Sequence, residues 1–262
     1  MEDVETTLAE AVLGLIGTRW RLNNLTFIDE EAGFIYFSAP AAANFRTNGS
    51  LQKGVAHMRG QALSIPNLQM VGNREKGLLG NPKSVGFHVF ADMLEDEAVL
   101  KLAFVRDPVE RFAAIYRHQF SINAKGAVSR SKLFEFLGMP ETESLSMLDL
   151  AELLTEEAEL KDLLVPLISQ RRLIAFDLVD YDFIGRHERW DEDYVAIALE
   201  LFGCETPRFD PVKDLSADPE GAKLAANVDD ETRAALEVAY AEDYEMIEEI
   251  EELFPNGFAA QA

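Results

Sequence analysis

The 262 residues, 48% hydrophobic and 27% charged, hold enough apolar material for one large buried core, and they lie at the upper end of single-domain size, so residues 1–262 are read as one domain. Against 24 lysines and arginines stand 47 aspartates and glutamates, a formal charge of -23; such a field repels a polyphosphate backbone and excludes general nucleic-acid binding, while leaving room for a small anion wherever a few arginines converge. Cys204 is the single cysteine, which excludes an intrachain disulfide and a cysteine-built zinc site and points to a reducing, cytoplasmic setting.

The chain opens on MEDVETTLAEAVLGLIG, acidic where a secretory leader needs a basic start, so no leader is expected. Val4, Leu8, Ala11, Val12 and Leu15 recur at helical spacing and Gly17 can end the helix. No apolar run approaches the roughly 18 residues of a membrane span. Phe34-Ile35-Tyr36-Phe37, followed by Ser38-Ala39-Pro40, reads as a buried parallel strand. From Ala41 to about Gly60 helix and loop remain alternatives, and residues 60–86, rich in glycine with two prolines, read as irregular connection.

Lys101-Leu102-Ala103-Phe104-Val105 is the second strand, and Arg106-Asp107-Pro108 turns it into a helix. Asp107 suits the N-cap, Pro108 the first helical position, and Glu110 the third residue of a capping box. Val109, Phe112, Ala113, Tyr116 and Phe120 form the apolar stripe of that helix, with Glu110, Arg111 and Arg117 off it. Residues 143–172 read as acidic helix interrupted at Pro166, and Leu173-Ile174-Ala175-Phe176 as a third short strand. Asp191 or Asp193 can cap a helix carrying Tyr194, Ile197, Ala198 and Leu201 and ending at Gly203; residues 206–228 form a long connection, and 229–254 one acidic helix with Leu236, Tyr240, Ile247, Ile250 and Phe254 facing the core. Strands alternating with helices predict an α/β fold, a three-layer sandwich around a central parallel sheet. Ligands of such sheets bind beyond the carboxyl ends of the strands, which directs attention to residues 38–46 and 106–111.

Two segments of the sequence carry a resemblance. Phe104-Val105-Arg106-Asp107-Pro108-Val109-Glu110-Arg111-Phe112 with Tyr116 resembles the stretch that holds the donor 3′-phosphate in carbohydrate-type sulfotransferases, and Tyr181-Asp182-Phe183-Ile184-Gly185-Arg186-His187-Glu188 is similar to a second stretch of that family. The Tyr240 to Glu248 region also resembles its last helix. The resemblance implies a P-loop-like sulfotransferase architecture, 3′-phosphoadenosine 5′-phosphosulfate as sulfate donor, no metal, and a small-molecule or carbohydrate hydroxyl acceptor. It assigns the 3′-phosphate to Arg106, which stands at a strand end beside a helix N-terminus, where paired donors and the helix dipole favour a dianion. Arg106 paired with a neighbouring carboxylate is the competing reading of that residue.

The same resemblance exposes losses. The family's loop Pro-Lys-x-Gly falls on Pro40-Ala41-Ala42-Ala43-Asn44, so Ala41 replaces the lysine that assists the bridging oxygen and Ala43 the glycine that lets backbone approach the 5′-phosphate. The family's phosphate-binding serine falls on Ala114. Pro82-Lys83-Ser84-Val85-Gly86 contains the missing letters but follows no strand and lies too close to Arg106 in the chain. Arg46 and Lys53 are the basic residues that could replace the lysine. His57, His88, His118 and His187 occupy no spacing that identifies a base or a metal site. A Gly-Lys-Ser/Thr loop of nucleotide kinases is absent from the sequence. Two functional readings follow: a sulfotransferase acting on hydroxyl groups, or a catalytically inactive binding or scaffold protein of the same fold.

Overall fold

A computed structural model describes residues 6–63, 77–121, 128–209 and 219–258. In chain order it contains α1 (Leu8–Ile16), α2 (Arg19–Leu25), β1 (Thr26–Asp29), β2 (Phe34–Ser38), α3 (Asn44–Met58), α4 (Pro82–Val85), α5 (Phe87–Glu95), β3 (Leu100–Val105), α6 (Pro108–Ile115), α7 (Val128–Leu137), α8 (Met147–Glu156), α9 (Ala158–Leu163), α10 (Gln170–Leu173), β4 (Phe183–Arg186), α11 (Trp190–Phe202), α12 (Pro219–Ala226), α13 (Asp230–Ala239) and α14 (Ala241–Leu253). None of these helices is long and apolar enough to cross a membrane.

The four strands lie in the order β1-β2-β3-β4, with β1 antiparallel to β2 and the other two pairings parallel. Alternation of side chains divides each strand between two layers. Ile35, Phe37, Ala103, Val105 and Ile184 pack on α1, α5 and α14, while Phe34, Tyr36, Leu102, Phe104 and Phe183 pack on α3 and α11. Helices therefore cover both faces, as a parallel sheet requires. A third apolar cluster joins α6, α7, α8 and α13 beside the sheet.

Several local expectations are revised. Leu173-Ile174-Ala175-Phe176 is no strand: Ser169 caps the turn of α10 by accepting from Arg172 N–H, and Ala175 turns the chain at φ +52°. Its apolar side chains lie in the core under the sheet without joining the ladder, the ambiguity inherent in short apolar runs. The third parallel strand is β4 instead. The terminal acidic helix is two helices, α13 and α14, divided at Tyr240. Part of the expected 206–228 connection is α12, and residues 210–218 of it lie outside the described residues. Neither Asp191 nor Asp193 caps α11, which starts at Trp190; the Asp193 carboxylate accepts from Arg186 N–H at 2.7 Å. The ambiguous stretch after Ala41 is helical because Gly49 and Gly54 of α3 admit the rings of Phe209 and Phe202, which a Cβ at either position would meet at 2.3 Å. That gain lies in packing, not in local propensity.

Candidate functional site

Parallel registers bring three strand ends to one level. Ser38 pairs with Phe104, and Val105 pairs with Arg186. The Pro40 loop, the Arg106-Asp107 turn and the turn after β4 are thus neighbours, as the placement of β2 beside β3 predicts.

The Pro40 loop keeps an unusual backbone. Ala41 has φ +64° and Ala43 φ +56°, left-handed conformations that cost an L-residue about 1 to 2 kcal/mol each. Two arginines hold it there. Arg111 Nε donates to the Pro40 carbonyl at 3.0 Å and Arg106 Nη1 to the Ala41 carbonyl at 3.3 Å. In a trans peptide N–H points opposite C=O, so fixing the Pro40 carbonyl inward sends Ala41 N–H the other way. Ala42 N–H bonds to Ala39 at 3.2 Å, but the N–H groups of Ala41, Ala43, Asn44 and Phe45 make no hydrogen bond of normal geometry among the described residues, and no side chain caps α3. Successive N–H groups of this kind after left-handed residues, at the start of a 15-residue helix, have the backbone form of a nest.

Arg106 is buried at 2% exposure. Its Nε and Nη2 donate to Glu110 at 3.3 and 3.2 Å, so the carboxylate-paired arrangement is the one present. The Glu110 side chain is 40% exposed and that of Arg106 3%, so the solvent-facing member of the pair is the carboxylate. The backbone of Arg106 exchanges two bonds with the Gln170 amide at 2.8 and 2.9 Å, a side-chain extension of the ladder past the end of β3. Asp107 does cap α6, accepting from Glu110 N–H at 2.9 Å.

Arg111, expected off the apolar stripe, is instead wholly enclosed. Besides Pro40 it donates to the carbonyls of Pro166 and Ile168 at 3.1 and 2.9 Å, and it lies 3.9 Å from Asp243 of α14. Burial lowers its pKa against the opposing pull of Asp243, and burial likewise raises the Asp243 carboxyl against the pull of Arg111. Tyr240 donates to Leu167 at 3.0 Å beside this pair. The spacing Arg106-x4-Arg111 was the available signal for this residue; Gln170 had none, because its partners lie 64 positions away.

The other sequence-flagged positions divide sharply. Ala41 and Ala114 are both buried in the apolar cluster of α6, α8 and α13, so neither offers a polar group. Asn44 is half-buried with Oδ1 unpaired. Lys53 is committed to the Arg208 carbonyl at 2.9 Å. Lys83 belongs to α4, beyond Gly80, which bridges to Ile28 of the edge strand β1 level with Ile35. The Pro82 segment is therefore away from the strand ends. His57 and His88 are exposed. Among the described residues no group of three or more His, Cys, Asp or Glu could hold a metal ion.

A cleft of about 610 Å³ opens beside these ends, lined by Arg46, Glu110, His187, Glu188 and residues 189–192. Glu188 joins the two segments singled out in the sequence: it accepts from Asp107 N–H at 2.8 Å. A family model described as "Sulfotransferase family" matches residues 75–248, well over half of the chain and both of those segments. The chain belongs to the sulfotransferase family. The match begins after the Pro40 loop. No curated protein and no solved structure matches it.

The family implies a phosphoadenosine phosphosulfate donor, and the residues present fit that group in part. Arg106 carries a guanidinium, bonded to Glu110 and the Ala41 carbonyl, and the N–H groups of Ala41 and Ala43 make no hydrogen bond of normal geometry among the described residues. The positions of the loop lysine and the serine hydroxyl are apolar core.

Proposed function

We propose that this protein binds 3′-phosphoadenosine 5′-phosphosulfate, or its desulfated product, on the Pro40 nest and Arg106, and transfers the sulfuryl group to hydroxyl acceptors, carbohydrates among them, only weakly. The observation that carries this reading is the left-handed backbone at Ala41 and Ala43 with unpaired N–H groups behind it, a strained arrangement at the positions the resemblance gives to the family's lysine and glycine. When bound, the donor supplies the sulfuryl group; the chain supplies N–H groups that orient the phosphate and a guanidinium that neutralises it. No cation stands within residues 40–44 to stabilise charge on the leaving oxygen.

A second reading, an inactive binding or scaffold protein, is favoured by Ala41 and Ala114 lying together in the apolar cluster. Titration with adenosine 3′,5′-bisphosphate, together with transfer assays on a panel of hydroxyl acceptors, separates the two. Binding with slow transfer supports the first reading, binding with no transfer the second, and absence of binding overturns the donor site. Fast transfer would refute the loss of electrophilic help. Recovery of rate in Ala41→Lys would locate that loss at residue 41. The single cysteine, Cys204, supports placement in a reducing, cytoplasmic compartment, and one domain spanning 1–262 is the organisation we infer.

A further inference from the structure

The end of α7, the segment 138–146 and α8 build an open groove of about 330 Å³ that shares no residue with the strand-end cleft. Leu137, Met139, Leu145 and Leu153 line it together with Asp149, Glu152 and Glu156. Its walls are fixed although 138–146 is irregular chain. Arg130 of α7, buried at 1% exposure, donates to the Glu141 carbonyl at 2.9 Å and also to the carbonyls of Phe120 and Glu143. Tyr116 Oη donates to the Leu145 carbonyl at 2.7 Å, and Ser146 with Asp149 closes a capping box at the start of α8. The groove is therefore preformed, and an occupant would not have to order it.

Two chemical halves of the groove point to one kind of occupant. The floor is aliphatic, with Leu137, Met139 and Leu153 only half-buried, and the unbranched methionine adapts to differently shaped apolar groups. The rim is anionic. Asp149, Glu152 and Glu156 are exposed, recur at i, i+3 and i+7 on one stripe of α8, and form no salt bridge among the described residues. Hydrogen bonds from Ser146 hold the Asp149 carboxyl below its ordinary range, so it is charged at neutral pH. Like charges three and four residues apart weaken a helix, and cations brought in from outside relieve that repulsion. A small cation would leave the leucines uncovered, and a second copy of a chain with formal charge -23 is repelled.

We propose that this groove docks a basic amphipathic helix of another protein, with apolar anchors on Leu137, Met139, Leu145 and Leu153 and lysines or arginines facing Asp149, Glu152 and Glu156. Donor binding at the strand ends neither requires such a partner nor follows from it.

Calorimetric titration of the full chain at about 0.15 M salt, where long-range attraction is screened, tests the docking site. The probe is a synthetic peptide of about 18 residues with leucine and lysine at helical spacing, and its comparison is a scrambled peptide of equal charge. The ordered peptide should bind about 10-fold more tightly or better; equal affinities would mean attraction to net charge alone and overturn the proposal. Glu152→Lys with Glu156→Lys turns two attractions into repulsions and should weaken the ordered peptide about 10-fold. Glu248→Lys with Glu252→Lys, an exposed pair of the same spacing on α14, changes the net charge equally and should cost less than about 2-fold. Equal losses in the two double variants overturn the groove as the site. Hydrogen exchange locates the contact without any substitution: the ordered peptide should slow exchange across 137–156, and unchanged exchange there overturns the proposal. A dimer by light scattering in which 137–156 is protected without the peptide would give the groove to a second copy and overturn it as well.

Discussion

The Pro40 loop and the Arg106 turn are adjacent strand ends built in opposite ways. At the loop no side chain of residues 40–44 is charged, yet Ala41 and Ala43 have left-handed backbone. At the turn the arginines are present, yet they are spent internally, Arg106 on Glu110 and the Ala41 carbonyl, Arg111 on the carbonyls of Pro40, Pro166 and Ile168. The two ends are coupled. Guanidinium groups that hold loop carbonyls can maintain a left-handed backbone that the loop's own alanines disfavour.

The largest expected way to break this coupling is Arg111→Met. Removing one partner of a buried charge pair, and with it the donors of three carbonyls, should cost about 3 to 5 kcal/mol of stability. A denaturant titration reads the loss, and a change below about 1 kcal/mol would mean that the Arg111 tie to α14 does not anchor the loop. Next is Arg106→Ala, which should weaken adenosine 3′,5′-bisphosphate binding roughly 10- to 150-fold, equivalent to about 1.5 to 3 kcal/mol for a charge-assisted contact. Equal affinities in two folded proteins would reduce Arg106 to its structural role.

Gly185 sharpens the comparison on the other side of β3. A Cβ there would lie 2.3 Å from the Phe104 ring, so Gly185→Ala should overpack the sheet face and cost about 1 to 3 kcal/mol. A neutral result by thermal unfolding would show that the ring yields. The smallest expected effect is a gain. Ala43→Gly relieves a left-handed alanine and should stabilise the protein by up to about 1 kcal/mol, after the entropy glycine adds to the unfolded chain. Ala42→Gly, at a position without positive φ, should only destabilise, and similar effects of the two substitutions would argue that strain at Ala43 is absent.

Much was legible in local chemistry. β2 and β3 are short apolar runs bounded by turn residues, and α6 begins with the Asp107-Pro108 start that its capping bond reproduces. Position in the chain also placed Arg106 and the Pro40 loop at strand ends, since side-chain periodicity and cap residues act over a few neighbours. Tertiary contacts decided the rest. Leu173-Ile174-Ala175-Phe176 is as apolar as β2 but meets helices instead of a strand edge. Arg111 looks like a surface residue on a helical wheel until α14 supplies Asp243 and the 166–168 segment supplies carbonyls. The conformation of Ala41 and Ala43 runs against their own preference, and is set by donors more than 60 residues away in the chain. Periodicity and capping are local energies and can be read from local sequence; the partner of a buried charge, and the strain a backbone will bear for it, exist only once distant segments have been packed together.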